Sequence, residues 1–131
     1  MKILVVDDEV VSRTKMKIIM NQFGACIAVD NGLTAINSFE NAMKYKKPFD
    51  VVTLDISMPD MDGMEVLARL RQLEVGAGIT KEDQSTILMV TGDSDQSTVV
   101  ESIELGCNGY VSKPFKKEII VEQLIKLGVE F

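Results

Sequence analysis

Four carboxylates in this sequence directly follow short apolar runs, where strands would end. Asp7, Asp8 and Glu9 come after the first run, and Asp55 comes after the third. If the fold brings Asp7, Asp8 and Asp55 together, their negative charges repel, and the pKa of at least one carboxyl group must rise. A divalent cation removes this conflict. A site built from oxygen ligands favours a hard cation, Mg²⁺, with Mn²⁺ as an alternative.

Two hydrogen-bond donors stand at corresponding positions. Thr91 closes the fourth apolar run, and Lys113 follows the fifth. Each residue has an ordinary explanation when taken alone: acids stabilise a helix N-terminus, Asp55 suits a turn, and a lysine suits the solvated surface. Their coincidence at four strand ends favours one shared functional site near Asp55.

The elements that must position these residues are five strands and five helices in alternation. The apolar runs are rich in Val and Ile and are mostly continuous, which is typical of strands covered on both faces of a parallel sheet. These predicted strands are residues 3–6, 26–29, 51–54, 87–90 and 110–111. Segments with helical periodicity follow each of them, at residues 16–23, 36–43, 66–73, 99–103 and 120–127.

This alternation predicts an α/β fold, a three-layer sandwich with right-handed crossovers. In a doubly wound sheet of strand order 2-1-3-4-5, ligands bind at the carboxyl ends of the strands, at the switch point between strands one and three. Asp7, Asp8 and Asp55 would converge there. The longest connection, residues 74–85, enters the fourth strand at the opposite end and is expected to be a tolerated surface insertion.

Length and composition exclude several classes of protein. The 131 residues suit a single domain, 1–131, and 46% hydrophobic residues are typical of a globular chain. With 14 basic against 20 acidic residues, the net charge of −6 argues against a nucleic-acid surface. No apolar run reaches the roughly 18 residues of a membrane span. Because no signal peptide follows Met1, a cytoplasmic location is expected.

The absence of histidine limits the catalytic and metal-binding chemistry that the chain can perform. With no imidazole, the chain lacks the usual general base near neutral pH, the usual zinc ligand and a nitrogen that could carry a phosphoryl group. The two cysteines, Cys26 and Cys107, are too few for a disulfide framework.

Taken together, the motifs resemble the receiver domain of bacterial two-component response regulators. The resemblance is carried by Asp7-Asp8, by the sequence around Asp55 (Leu-Asp-Ile-Ser-Met-Pro-Asp-Met-Asp-Gly), by Val-Thr-Gly-Asp around Thr91 and by Lys113-Pro114-Phe115. It covers essentially the whole chain. It implies a flavodoxin-like fold, the doubly wound sheet already inferred.

The resemblance also implies roles for individual residues. Asp55 is the phosphoacceptor, Asp8 is the direct Mg²⁺ ligand, and Asp7 holds the metal through water. The backbone carbonyl of Ser57 is a further metal ligand.

On the donor side, the resemblance implies that the Thr91 hydroxyl turns toward a phosphoryl oxygen and that Lys113 pairs with the phosphoryl group. The peptide bond between Lys113 and Pro114 is expected to be cis. Tyr110 occupies the position of the switch aromatic.

The function implied is a signalling switch that catalyses its own phosphorylation and dephosphorylation and is otherwise not an enzyme. A sensor histidine kinase or a histidine phosphotransfer protein would supply the phosphoryl group. The face built from helix 4, strand 5 and helix 5 would contact a downstream protein, and hydrolysis of the acyl phosphate would reset the switch. A monomer or a weak phosphorylation-dependent dimer is expected, with neither nucleic acid nor membrane as a partner.

Two other functions fit part of the pattern. A Mg²⁺-dependent phosphatase of the haloacid dehalogenase type also uses an aspartate nucleophile, but its motif places a second acid where this chain has Ser57. A receiver-like interaction domain that works without phosphorylation would not need the full set of Asp7, Asp8, Asp55, Thr91 and Lys113.

Overall fold

A five-stranded parallel sheet forms the centre of the protein. The structure, a computed structural model, describes residues 1–92 and 96–131. The strands are β1 (Lys2–Val6), β2 (Ala25–Val29), β3 (Val51–Asp55), β4 (Thr86–Thr91) and β5 (Gly109–Ser112). They pair in the order β2-β1-β3-β4-β5, and every pairing is parallel. The predicted doubly wound sheet and its strand order are confirmed.

Helices cover both faces of the sheet. They are α1 (Val10–Met20), α2 (Gly32–Lys44), α3 (Gly63–Gly76), α4 (Gln96–Glu104) and α5 (Lys117–Lys126). Residues of α1 and α5 such as Met16 and Ile120 pack on one face of the sheet, and residues of α2 and α3 such as Phe39 and Leu67 pack on the other. These two apolar layers give the predicted three-layer sandwich.

No helix within residues 1–92 and 96–131 combines the length and the apolar character that crossing a bilayer requires.

Helix α1 ends earlier than its apolar periodicity predicts. The periodic pattern extends to Phe23, but the helix stops at Met20 and the chain then turns. Gly24 lies against the backbone of Met1, and a Cβ there would come within 2.2 Å of the Met1 carbonyl oxygen. Beyond the helix, Phe23 still packs against the apolar layer of α1 and α5, and its ring also contacts that of Phe131, with 4.5 Å between ring centroids.

The connection predicted as a surface insertion at 74–85 is partly helical and partly buried. Helix α3 extends through Gly76, and a short 3-10 helix occupies Lys81–Asp83. The two end residues of the segment, Glu74 and Ser85, are 1% and 4% exposed. The insertion prediction is therefore wrong at both ends of the segment, because the Glu74 carboxylate is used inside the fold.

Helix α4 buries a polar residue and exposes two of the apolar residues that give its sequence helical periodicity. Val100 and Ile103 are 52% and 56% exposed. Ser102 is fully buried, and its hydroxyl donates a hydrogen bond of 2.7 Å to the carbonyl of Val99. A polar residue can take the inward position here because its hydroxyl is satisfied within the helix itself.

Candidate functional site

Three carboxylates meet at the carboxyl ends of β1 and β3. Asp7 directly follows β1, and its backbone N–H bonds to the carbonyl of Val29 on β2. Asp55 is the last residue of β3. One oxygen each from Asp7, Asp8 and Asp55 lie within 4.8 Å of one another, and Asp7 and Asp55 are 5% and 2% exposed. The sheet therefore brings the three predicted acids together at its switch point.

This cluster has the donor set of a hard-cation site. Asp8 Oδ1 and Asp55 Oδ2 are buried and accept no hydrogen bond from the described residues. Buried carboxylate oxygens normally have partners, since an unsatisfied charged group is costly. A divalent cation such as Mg²⁺ would satisfy both oxygens, so the residues present fit such an ion.

The environment of Asp55 disfavours its charged form. Burial raises the pKa of its carboxyl group, and the negative charge of Asp7 raises it further, to about 7. The positive charge of Lys113 opposes both effects but does not cancel them. Burial and the neighbouring charge of Asp7 therefore both favour the protonated form of Asp55 when no cation is bound.

Lys113 lies over the cluster and contacts three acids. Its Nζ is 2.6 Å from Glu9 Oε1, 3.2 Å from Asp7 Oδ2 and 3.4 Å from Asp55 Oδ2. Burial alone would lower the pKa of Lys113. The hydrogen bond with Glu9 and the charges of Asp55 and Asp7 outweigh burial and raise the pKa well above its ordinary value. Lys113 is thus a permanently charged donor directed at the carboxylates.

The loop after β1 is fixed by contacts that the sequence pattern did not suggest. The backbone N–H of Glu9 donates to Asp7 Oδ1 at 2.9 Å. Arg13, one turn into α1, donates from Nη1 to the backbone carbonyls of Asp7 at 3.1 Å and Asp8 at 3.4 Å. The available signal was a single arginine five residues after the acid pair. Arg13 restrains the backbone that carries the two acids.

The loop after β3 closes tightly on Gly63. Its N–H donates to the carbonyl of Ile56 at 2.8 Å, and a Cβ at this position would lie 2.2 Å from the carbonyl oxygen of Asp55. Asp62 caps α3 through a hydrogen bond of 2.9 Å from the N–H of Glu65. Any side chain at Gly63 would displace the Asp55 backbone, so this glycine positions the carboxylate although it bears no functional group. The Asp-Gly pair before a helical pattern indicates the start of α3 but not this contact with Asp55.

The remaining predicted site residues lie in strands β4 and β5 or in the loops that follow β3 and β5. Thr91 is the last residue of β4 and is 2% exposed, and its carbonyl accepts a 2.7 Å hydrogen bond from the N–H of Lys113. The peptide bond between Lys113 and Pro114 is cis. Tyr110 lies on β5 with 43% of its surface exposed, and Ser57 lies exposed in the loop after β3.

One residue of the motif around Thr91 is not placed by the structure. Asp93, its last residue, lies outside the described residues.

Comparisons with known proteins show relatives of nearly the whole chain. The sequence matches the response regulator receiver domain family over residues 3–125. A relative, the chemotaxis protein CheY of Listeria monocytogenes serovar 1/2a, is 34% identical over 128 residues, which cover 96% of this chain and 97% of that protein.

Solved structures show the same fold. The CheY-like response regulator receiver domain protein of Methanospirillum hungatei JF-1 superposes with a TM-score of 0.80 at 26% identity, over 97% of this chain and 93% of that one. The receiver domain of the histidine kinase CKI1 from Arabidopsis thaliana, in complex with Mg²⁺, gives a TM-score of 0.80 at 26% identity over 95% and 90% of the two chains. Since the family match spans nearly the whole chain and includes every strand that carries a site residue, this protein belongs to the response regulator receiver domain family.

Proposed function

We propose that this protein is a phosphorylation switch in which Asp55 accepts a phosphoryl group from a partner's phosphohistidine. The partner is a sensor histidine kinase or a histidine phosphotransfer protein. The observation that carries the proposal is the position of Asp55, buried in an acidic cluster with the Lys113 ammonium 3.4 Å away. Family membership supports the same class of function.

The transfer itself is a displacement at phosphorus. An oxygen of the Asp55 carboxylate forms a bond to phosphorus, the bond from phosphorus to the donor imidazole breaks, and the electron pair leaves with the imidazole. The product is an acyl phosphate, and its hydrolysis returns the Asp55 carboxylate. Lys113 donates to the phosphoryl oxygens and neutralises part of their charge.

The cation site would be formed by Asp7, Asp8 and Asp55, with the backbone carbonyl of Ser57 as a further ligand. Bound Mg²⁺ would supply positive charge that favours the ionised form of Asp55 and screens the anionic donor. A role for this positive charge is supported by the pKa of the Asp55 carboxyl group, which is raised to about 7 without a cation.

The output would follow from new acceptor oxygens at Asp55. Thr91 and Lys113 belong to adjoining strand ends and are joined by a backbone hydrogen bond. If Thr91 and Lys113 move toward a phosphoryl group on Asp55, the segment between β4 and α4 and the segment after β5 would therefore move with them. The apolar side chains of Val100, Ile103 and Tyr110 are about half exposed on these elements, which suits contact with a downstream protein.

The test is phosphorylation by a small donor. Incubation with Mg²⁺ and acetyl phosphate should add one phosphoryl group, seen by intact-mass spectrometry as an acid-stable, base-labile modification. Asp55→Asn should abolish the modification. Asp60→Asn is a matched control, because Asp60 is exposed in the same loop and its φ of 68° is tolerated by asparagine.

Two results would contradict the proposal. One is undiminished labelling of Asp55→Asn, which would place the acceptor elsewhere. The other is steady turnover of an added phosphate ester such as p-nitrophenyl phosphate, which would favour a phosphatase of the haloacid dehalogenase type.

A further inference from the structure

Glu9 contacts the functional lysine more closely than either acid of the cluster does. The distance from Lys113 Nζ to Glu9 Oε1 is 2.6 Å, against 3.2 Å to Asp7 and 3.4 Å to Asp55. Yet Glu9 is not among the three acids that could share a cation. It therefore engages the lysine without belonging to the cation site.

Glu9 accepts a hydrogen bond of 2.6 Å from Lys113 Nζ, whereas Asp7 and Asp55 form longer ion pairs with the same ammonium group. An ammonium group has three N–H donors and no acceptor, and three carboxylates surround this one. A phosphoryl group on Asp55 would bring close to two negative charges and three new acceptor oxygens. The N–H that Lys113 donates to Glu9 can turn to these oxygens only if Glu9 is released.

Glu9 is the partner that is most easily released. Its side chain is 62% exposed, whereas those of Asp7 and Asp55 are 7% and 2% exposed. Asp7 is also held by the N–H of Glu9, at 2.9 Å. A released Glu9 carboxylate regains water, while a released Asp7 carboxylate would remain buried and unpaired.

We propose that Glu9 is a positioning residue that occupies Lys113 in the unphosphorylated protein and competes with the phosphoryl group for it. The inference rests on the proposed function, since it assumes an anion at Asp55. In this proposal the Glu9 carboxylate lowers the affinity of the site for that anion. Removal of the Glu9 carboxylate should therefore favour the phosphorylated state.

The position is well suited to substitution. Glu9 is the N-cap of α1, but its side chain makes no capping hydrogen bond. Glu9→Gln and Glu9→Ala thus remove the ion pair without removing a helix cap. Glu118→Gln is the matched control, because it removes one exposed acid from the first turn of α5, outside the three described ion pairs of Lys113.

The experiment measures anion binding and cation binding separately. At saturating Mg²⁺, beryllofluoride and acetyl phosphate are titrated against each variant, followed by NMR and by mass spectrometry. For Glu9→Gln and Glu9→Ala the half-saturating concentrations of both should fall by about two- to fivefold, the range for one partly exposed ion pair. The half-saturating concentration of Mg²⁺ alone should stay unchanged, a split that a merely structural change in the loop would not produce.

Three outcomes would overturn the inference. Unchanged or weaker anion binding in Glu9→Gln would mean that Glu9 does not compete for Lys113. An equal gain in Glu118→Gln would assign the effect to net charge. Labelling that persists in Asp55→Asn would contradict the proposed function as well as the role of Glu9. Normal labelling at Asp55 with no effect of Glu9→Gln would contradict only the competition between Glu9 and the phosphoryl group.

Discussion

The Asp55 carboxyl group makes the stability of the cation-free protein depend on pH. Burial and the charge of Asp7 raise its pKa from 3.8 to about 7 in the folded state. Between these values the folded state binds more protons than the unfolded state, so the stabilisation is fully present below pH 3.8 and is lost as the pH rises through about 7. This direction is opposite to that of an aspartate whose pKa is lowered in the folded state.

We therefore expect the chelator-treated protein to lose about 2–3 kcal/mol of unfolding free energy between about pH 5 and pH 8. Asp55→Asn should remove most of this loss, because asparagine does not titrate. Urea unfolding at several pH values measures it, with Glu40→Gln, an exposed acid on α2, as the control that keeps the slope. A parent protein that gains stability over this interval would show that Asp55 is ionised throughout.

Asp8 provides a second test at the level of one side chain. A cation that binds only the folded state raises stability by mass action, by about 2.7 kcal/mol at a hundredfold excess over its dissociation constant. Mg²⁺ should therefore raise the thermal midpoint of the parent protein. Asp8→Ala should not respond to Mg²⁺, and its cation-free midpoint should exceed that of the parent, because one of the three clustered charges is gone.

Asp60→Asn serves as the control, since it removes an exposed acid outside the cluster. It should respond to Mg²⁺ as the parent protein does. If Asp8→Ala gains the full stabilisation from Mg²⁺, the cation binds at another site.

Residues with functional groups were easier to predict from the sequence than residues that act through shape. Asp7 and Asp55 stand directly after apolar runs, and Lys113 follows its run by one further residue, so the strand pattern alone predicted all three at the carboxyl ends of the strands. Gly63 acts through the absence of a Cβ beside the Asp55 carbonyl. That role depends on where a loop returns in space, which no local spacing encodes.

At the level of elements, a polar network joins the end of α3 to the amino-terminal side of the sheet. Glu74 Oε1 lies 2.7 Å from Arg71 Nη1, and Glu74 Oε2 accepts from the N–H of Ser85 at 2.7 Å. Arg71 also donates to the carbonyl of Gly106 and to Asn108 Oδ1, at 2.9 and 2.8 Å. One arginine thus links α3, the segment before β4 and the segment before β5.

Glu74→Ala should destabilise the protein by about 3 kcal/mol, because it leaves Arg71 and the Ser85 N–H with unsatisfied donors in a buried position. The shift in the urea midpoint measures this. Glu82→Ala removes an exposed acid from the 3-10 helix of the same connection and should change stability little. Equal effects of the two substitutions would mean that the Glu74 ion pair contributes nothing beyond its charge.

The Arg71–Glu74 network also explains why the prediction of a surface insertion at residues 74–85 was wrong at its ends. Glycines at 76 and 78 and a charged cluster indicate a loop when only neighbours in sequence are considered. The buried Glu74 forms an ion pair with Arg71. Arg71 in turn donates hydrogen bonds to Gly106 and Asn108, which lie more than 30 residues away in the sequence. The strands were predicted better, because a buried parallel strand is marked by its own apolar residues.

For the whole molecule, the parallel sheet separates two polar systems. The acidic cluster and Lys113 lie at the carboxyl ends of the strands, and the Arg71–Glu74 network lies at their amino ends. The apolar layers on the two faces of the sheet lie between them. Residues this far apart with no shared partners contribute nearly additively to stability. Glu74→Ala should therefore leave the Mg²⁺-dependent shift of the thermal midpoint unchanged.

The proposed switch requires a route from the acidic cluster to α4 and β5, and the hydrogen-bonded strand ends offer one. Thr91 ends β4 just before the segment leading to α4, and its carbonyl is bonded to the N–H of Lys113 after β5. Helix α4 presents Val100 and Ile103 half-exposed, so little apolar packing holds these side chains in place. Because buried space near Thr91 must stay filled, a movement of Thr91 toward an anion at Asp55 should be coupled to Tyr110.

Beryllofluoride with Mg²⁺ should therefore shift backbone NMR resonances well beyond Asp55, from Thr91 through β5 to about Ile119. Residues 74–85 should shift little, because Glu74 and Ser85 are bonded at the far end of the sheet. Asp55→Asn, which cannot form the acyl-phosphate mimic, should show none of these changes under the same conditions. Shifts confined to the loops around Asp7, Asp8 and Asp55 would mean that anion binding does not change the conformation of α4, β5 and α5. The face built from these three elements would then have no role in output.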